Sequence, residues 1–211
     1  MYVAIEGVIG VGKTTLARLL QPAFDAEVIL EVFEENPFLS DFYSDRERYA
    51  FQTQIFFLLS RYHQQRRTVH EIVATGKNLL TDYTFAKDAL FAQINLQGDE
   101  LGMYYKVHEA LAEKIEKPDL LVYLQATTDT LMQRIALRDR PYERQMERSY
   151  IGQLNRAYED FFSKPFDHTA VLTIDTNDLN IIQNTEHLKL IENRIRQSLS
   201  LPPFQQSLPM P

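Results

Sequence analysis

The sequence contains no cysteine, which excludes disulfides and thiolate zinc sites and fits a reducing compartment. It has no excess of positive charge: 22 Lys and Arg stand against 29 Asp and Glu, a net charge of −7. A basic stripe for duplex DNA or RNA is therefore not expected, although a few local cations can still bind one small polyanion. No apolar run approaches the ~20 residues needed to cross a bilayer. The first strand-like run, Tyr2-Val3-Ala4-Ile5-Glu6, lacks the basic head and long apolar centre of a secretory signal. These absences lead us to expect a cytoplasmic protein that binds neither a nucleic-acid polymer nor a membrane. There is no internal repeat.

What is present fits one globular domain. Of 211 residues, 45% are hydrophobic and 24% charged, enough for a core without staples. The domain is expected over residues 1–201. The tail 202–211, with four prolines, is expected to be disordered. Short apolar runs at Tyr2–Ile5, Glu27–Leu30, Asn78–Thr81, Leu120–Leu124 and Ala170–Ile174 predict five buried parallel strands. Helical patterns lie between them, at Thr14–Phe24, Phe85–Asn95, Glu100–Ile115, Thr128–Leu137, Arg148–Phe162 and Ile181–Leu199. The longest is expected from about Arg46 to Thr75, stopped by Gly76. Alternating strands and helices predict an α/β fold with a parallel sheet flanked by helices.

Gly7-Val8-Ile9-Gly10-Val11-Gly12-Lys13-Thr14, continued by Thr15, fits G-x-x-x-x-G-K-[ST] in full. Its glycines let backbone N–H groups curl around phosphate oxygens, and the following helix presents its positive N-terminus to the same anion. Lys13 can reach the β- and γ-phosphates of ATP, and the Thr14 hydroxyl can bind Mg²⁺. A strand before and an amphipathic helix after supply the context that the motif needs, against the alternative of a Gly-rich turn. The guanine-reading N-K-x-D and the transporter-type L-S-G-G-Q are both missing.

Arg134, Arg138, Arg140 and Arg144 lie within eleven residues. Arg134 and Arg138 are a helical turn apart, and Pro141 turns the chain into a loop after Arg140. Beside a P-loop, such a cluster predicts an arginine-bearing lid over the γ-phosphoryl group. The alternative is a solvated helix face, given the interspersed Asp139, Glu143 and Glu147. Glu31 and Asp82 each follow a strand run, and in open parallel sheets sites lie off the carboxyl ends of strands. One can accept the proton of an attacking hydroxyl and the other can orient Mg²⁺. Gln54 and Arg61, seven residues apart, share nearly one helix face and suit the edge of a nucleobase.

In these motifs, from Tyr2 to about Phe162, the sequence resembles the deoxynucleoside kinase family, and more narrowly its bacterial deoxyguanosine kinase branch. The resemblance implies the P-loop kinase fold and makes Glu31, in Leu30-Glu31-Val32, the general base for the 5′-hydroxyl. It implies that Tyr43 contacts the sugar 3′-hydroxyl, with Glu143 as a second partner. It makes Gln54 and Arg61 base readers and Phe91 the aromatic that packs on the base. Arg138 and Arg140 become lid residues. Asp82 keeps the acid of the family's acidic-Arg-Ser motif, but Asp82-Tyr83-Thr84 loses its arginine near the 5′ position. The segment after Asp82 is one residue shorter, which leaves the match of Asp88 to a base-contacting aspartate open. The resemblance also implies a homodimer packed through the helix 46–75, whose Phe56, Phe57, Leu59 and Tyr62 exceed what one core face needs.

The sequence thus predicts transfer of the γ-phosphoryl of ATP to the 5′-hydroxyl of a purine deoxynucleoside, deoxyguanosine first, with Mg²⁺ on Thr14 and Asp82. Lys13 and Arg138 stabilise the transferring group, and Asp82 organises the 5′ end. Deoxyadenosine or deoxycytidine is an alternative acceptor. A nucleoside monophosphate kinase and a nucleotide-binding regulatory subunit are the rival classes.

Overall fold

The structure, a computed structural model, describes residues 1–33, 35–164 and 169–203. Five strands form one parallel sheet in the order β2-β3-β1-β4-β5: β1 Tyr2–Gly7, β2 Ala26–Ile29, β3 Asn78–Thr81, β4 Leu120–Gln125 and β5 Ala170–Asp175. All five lie within two residues of their sequence-expected ends. Alternate side chains of β1 enter different cores: Val3 and Ile5 join the large one, Tyr2 and Ala4 a smaller one on the opposite face. Leu79, Leu80, Leu121 and Val122 are fully buried, each worth about 1.5–3 kcal/mol relative to exposure.

The helices are α1 Lys13–Phe24, α2 Leu39–Ser44, α3 Arg46–Gln64, α4 His70–Ala74, α5 Lys87–Asn95, α6 Gly98–Ala112, α7 Thr128–Arg138, α8 Arg148–Phe162 and α9 Thr185–Ser198. In α1, Leu16, Ala17, Leu20 and Phe24 form the buried stripe that packs it on the sheet. The short α2 was not expected.

The helix expected over 46–75 is not one regular α-helix. A π-helical turn, Gln65–Val69, separates α3 from α4. Arg61, Gln65 and Val69 are all buried and stand at successive i+4 steps. Such steps overrun a 3.6-residue turn, and the wider π turn absorbs the drift. Gly76 ends the segment at φ +73°, as expected. The last helix begins at Thr185, later than Ile181, because Asn184 caps it by accepting from the Glu186 N–H at 3.0 Å.

Register sets the site. Thr81 of β3 is level with Ala4 of β1 and Ile29 of β2. Asp82, one residue further on, Glu31, two further on, and Gly7, three further on, therefore emerge at the same carboxyl-terminal edge of the sheet. No helix among the described residues is long and apolar enough to cross a membrane. The tail expected to be disordered lies, from residue 204 onward, outside the described residues.

Candidate active site

The P-loop joins β1 to α1, with Gly10 and Gly12 at φ +88° and +106°. Added Cβ atoms would lie 2.5 Å from the Leu124 carbonyl oxygen at Gly7 and 2.8 Å from Ile135 Cγ1 at Gly10. The loop can take this path only with glycine there. Lys13 folds over it and donates to the carbonyls of Gly7, at 2.6 Å, and Val8, at 3.3 Å. Burial first, and then the charge of Lys87, lower the Lys13 pKa to about 8.

Beneath the loop, Thr14 donates to Asp82 Oδ2 at 2.5 Å, and the Glu31 backbone N–H donates to Oδ1 at 2.7 Å. Asp82, just past β3, thus ties the first turn of α1 to the chain that leaves β2. Among the described residues no cluster of three His, Asp or Glu could hold a metal alone. The Thr14–Asp82 pair nevertheless fits Mg²⁺, which takes one or two protein oxygens and draws its remaining ligands from phosphates and water.

The Glu31 side chain meets two cations. Arg61 donates to Oε1 through Nε at 2.9 Å and also through its NH2 group, while Lys87 donates to Oε2 at 2.7 Å. Burial alone would raise the Glu31 pKa, but Arg61 and Lys87 together outweigh it and hold the carboxyl well below the usual range. Arg61 also pairs with Asp88 and lies 4.6 Å over the Phe57 ring. Asp88 is fully buried behind Arg61 and does not line the cavity, so it reaches that space through the guanidinium.

Two cavities flank the loop, and both are lined by Gly10 and Arg138. The first contains Lys13, Thr14, Glu31, Tyr43, Gln54, Arg61, Asp82, Phe91, Arg138, Arg140 and Glu143, which brings together nearly every sequence-predicted acceptor residue. Tyr43 comes from α2 and stacks on Tyr142 with ring centroids 6.2 Å apart. Phe91 meets Tyr158 edge to face. Gln54 is 3% exposed. This cavity measures about 110 Å³, below the ~300–1,000 Å³ of small-molecule sites. The second, about 650 Å³, contains Val11, Gly12, Thr15, Arg134 and the segment after β5.

The arginine cluster divides. Arg138 donates to both oxygens of the buried Glu143, and Arg140 stands 3.6 Å from it and 4.1 Å over the Phe33 ring. Arg134 is committed elsewhere: it donates to the Val11 carbonyl at 3.2 Å and to Thr176 Oγ1 and O at 3.0 and 2.5 Å. Arg144 pairs with Asp139 on the surface. Phe57, assigned above to a surplus apolar face, lines the first cavity instead.

Three participants escaped the sequence reading. Glu6, fully buried, accepts from the N–H groups of Gly7, at 3.1 Å, and Thr84, at 2.6 Å, and so fixes the start of the loop. Tyr83 stands where the motif loses its arginine. It donates to Gln64 at 2.6 Å, and Gln64 in turn donates to the Leu30 carbonyl at 3.0 Å, bracing the chain at Glu31. Lys87 is the third.

The sequence matches the family described as Deoxynucleoside kinase over residues 3–200. It is 34% identical over 199 residues to the deoxyguanosine kinase of Bacillus subtilis (strain 168), covering 93% of this chain and 96% of that one. It is 31% identical over 182 residues to the deoxyadenosine kinase of Dictyostelium discoideum, covering 84% and 73%. Among solved structures, the deoxyadenosine kinase from M. mycoides with products dCMP and a flexible dCDP superposes with a TM-score of 0.81 at 25% identity, over 93% of this chain and 99% of that one. The chain belongs to the deoxynucleoside kinase family and is an ATP-dependent kinase.

Proposed function

We propose that this chain transfers the γ-phosphoryl of ATP to the 5′-hydroxyl of a purine deoxynucleoside, deoxyguanosine first. The observation that carries this reading is Glu31: a carboxylate beside the P-loop, held ionised by Arg61 and Lys87, in a cavity that also contains Gln54, Phe91 and Tyr43. The nucleoside base lies against Phe91 with its edge toward Gln54 and Arg61. The 3′-hydroxyl meets Tyr43 and Glu143, and the 5′-hydroxyl points to Glu31. Asp88 serves the base indirectly, by orienting Arg61.

ATP takes the second cavity for its nucleoside and the P-loop for its phosphates. Thr14 and Asp82 would hold Mg²⁺, which would supply neutralisation of phosphate charge there. Lys13 leaves the loop carbonyls for the phosphates. Arg138 and Arg140 form the lid. They leave Glu143 when nucleotide arrives, which frees Glu143 for the sugar and widens the small acceptor cavity. The preference for guanine draws on the Arg61 fork, which suits guanine O6 and N7, and on the name of the Bacillus subtilis relative.

A homodimer through α3 is part of this reading. Val32 and Leu59 are exposed, at 38% and 42%, and with Phe56 they line a shallow groove on α3. Leu59→Glu is expected to convert a dimer to monomer in sedimentation, and a wild-type monomer at micromolar concentration would remove this element.

The test is steady-state phosphorylation of the four deoxynucleosides, their ribonucleosides and their monophosphates, by ATP with Mg²⁺. The highest kcat/KM is expected for deoxyguanosine, with weak turnover of ribonucleosides. A preference for deoxyadenosine or deoxycytidine overturns the base assignment and keeps the class. Turnover of monophosphates alone overturns the acceptor assignment.

A further inference from the structure

Lys87 opens α5 and is 4% exposed, yet its ammonium lines the acceptor cavity. Its ion pair is with Glu31, at 2.7 Å. Glu31 already has a guanidinium, because Arg61 reaches it while also pairing with Asp88. Arg61 is thus fixed between two carboxylates. Lys87 is a second cation on a carboxylate that is already matched, and a buried ammonium is costly to maintain for one shared partner.

The reaction gives this cation a use. It rests on the function proposed above and proceeds as follows. The bond from the 5′-oxygen to the γ-phosphorus forms while that from phosphorus to the β,γ-bridging oxygen breaks. The electron pair leaves with ADP, and the 5′-hydroxyl proton passes to Glu31. Glu31 then carries no charge, and Lys87 loses its counter-ion. At the same moment the phosphoryl group brings negative charge to the acceptor side. A 5′-oxygen in hydrogen-bond reach of Glu31 Oε2 lies no more than about 6 Å from the Lys87 ammonium. The phosphoryl oxygens fall within reach of its flexible four-carbon stem.

We propose that Lys87 is a catalytic residue of this chain: its ammonium binds the oxygens of the transferring γ-phosphoryl from the acceptor side and then holds the 5′-monophosphate product. It keeps its protons throughout and supplies charge and hydrogen bonds only. Lys13 serves the same group from the loop side, and the two ammonium groups lie close enough for Lys87 to depress the Lys13 pKa. Tyr83, beside Asp82, has the Lys87 ammonium 5.9 Å from its ring centroid. The alternative is a structural strut joining α5 to the end of β2.

The full chain tests this with Lys87→Met and Lys87→Arg. Each variant is assayed with the deoxynucleoside that the wild type phosphorylates fastest. Calorimetry gives the Kd of that nucleoside and of its 5′-monophosphate. Lys87→Met is expected to keep nucleoside affinity within about threefold while losing at least about tenfold in monophosphate affinity. Its kcat should fall by ~10²-fold or more, the scale for one preorganised transition-state donor. Lys87→Arg should recover most of the monophosphate affinity. Equal losses for nucleoside and monophosphate, or a kcat within threefold of wild type, would overturn the proposal in favour of the strut. If Lys87→Met does not fold, the ¹⁵N-ammonium resonance lost in Lys87→Arg decides it in the wild type. Movement on adding monophosphate but not nucleoside supports the proposal, and no difference between the two overturns it. A wild type that phosphorylates no deoxynucleoside would instead refute the underlying function.

Discussion

Arg138 grips Glu143 with one amino group placed 2.7 and 2.8 Å from the two carboxylate oxygens, at the position where the two cavities share a wall. Glu143 is 5% exposed, so the pair is well shielded on the acid side. An arginine parked on a buried carboxylate stays ordered until phosphate competes for it. A fork matters in both states, because bidentate geometry is what lysine cannot reproduce. Arg138→Lys is therefore expected to lower kcat by ~10²-fold or more with a much smaller rise in KM for ATP, because the fork meets phosphate on binding and gains most as charge develops in the transition state. Arg134→Lys, by contrast, breaks a tie between the P-loop and Thr176, and should lower Tm more than kcat. Steady-state kinetics and thermal melts on the two variants check both. Equal kinetic defects would refute the division of the arginine cluster.

Glu31→Gln keeps shape and one acceptor oxygen but removes the base. We expect kcat to fall by ~10²–10⁴-fold. Nucleoside should still bind, because Gln54, Phe91 and Tyr43 are untouched. Tm should also fall, because Arg61 and Lys87 lose part of their counter-charge in a buried site. A folded variant that binds nucleoside and keeps most of its kcat would move the role of base to Asp82.

His108 gives the fold a pH dependence away from the chemistry. Its ring stacks on Phe85 with centroids 4.8 Å apart, and burial lowers its pKa from the ordinary 6.5. The unfolded chain therefore takes up a proton at a pH where the folded chain does not. This part of the stability is fully present above about pH 6.5 and declines as pH falls below that value. His108→Phe retains the stack without the titration. Wild type should lose more Tm than His108→Phe between pH 8 and pH 5, and parallel losses would refute the assignment.

Contiguous signals were legible in the sequence, and tertiary ones were not. The P-loop is eight adjacent residues, and each buried parallel strand is a nearly unbroken apolar run, so both could be read locally. Arg134 and Arg138 look equivalent on a helical wheel; only the arrival of Thr176, 42 residues later, separates them. Lys87 is a single lysine at a helix start, and its meaning comes from Glu31, 56 residues earlier in the chain. Glu6 reads as the polar end of a strand until Thr84 and Tyr158 close around it. The π turn was hidden for a related reason: the i+4 steps of Arg61, Gln65 and Val69 become significant only once all three are known to be buried.

Two glycine-to-alanine changes should have opposite signs. Gly10 sits at φ +88°, and an added Cβ would lie 2.8 Å from Ile135 Cγ1 and 3.0 Å from the Leu131 carbonyl oxygen. Ile135 could rotate, but Leu131 offers backbone, which cannot withdraw without moving α7. The conformation itself costs an L-residue about 1–3 kcal/mol. Gly102 lies within α6, exposed, and a Cβ there would meet nothing within 4 Å. Alanine at that position recovers helix propensity and reduces the freedom of the unfolded chain, together worth about 0.4–1 kcal/mol. We expect Gly10→Ala to lower Tm and raise the KM for ATP at least tenfold, because the loop must open away from α7. Gly102→Ala should raise Tm and leave kinetics unchanged. Denaturation curves with ATP titrations on both variants test this, and a Gly10→Ala protein that binds ATP normally would show that the cradle tolerates another path.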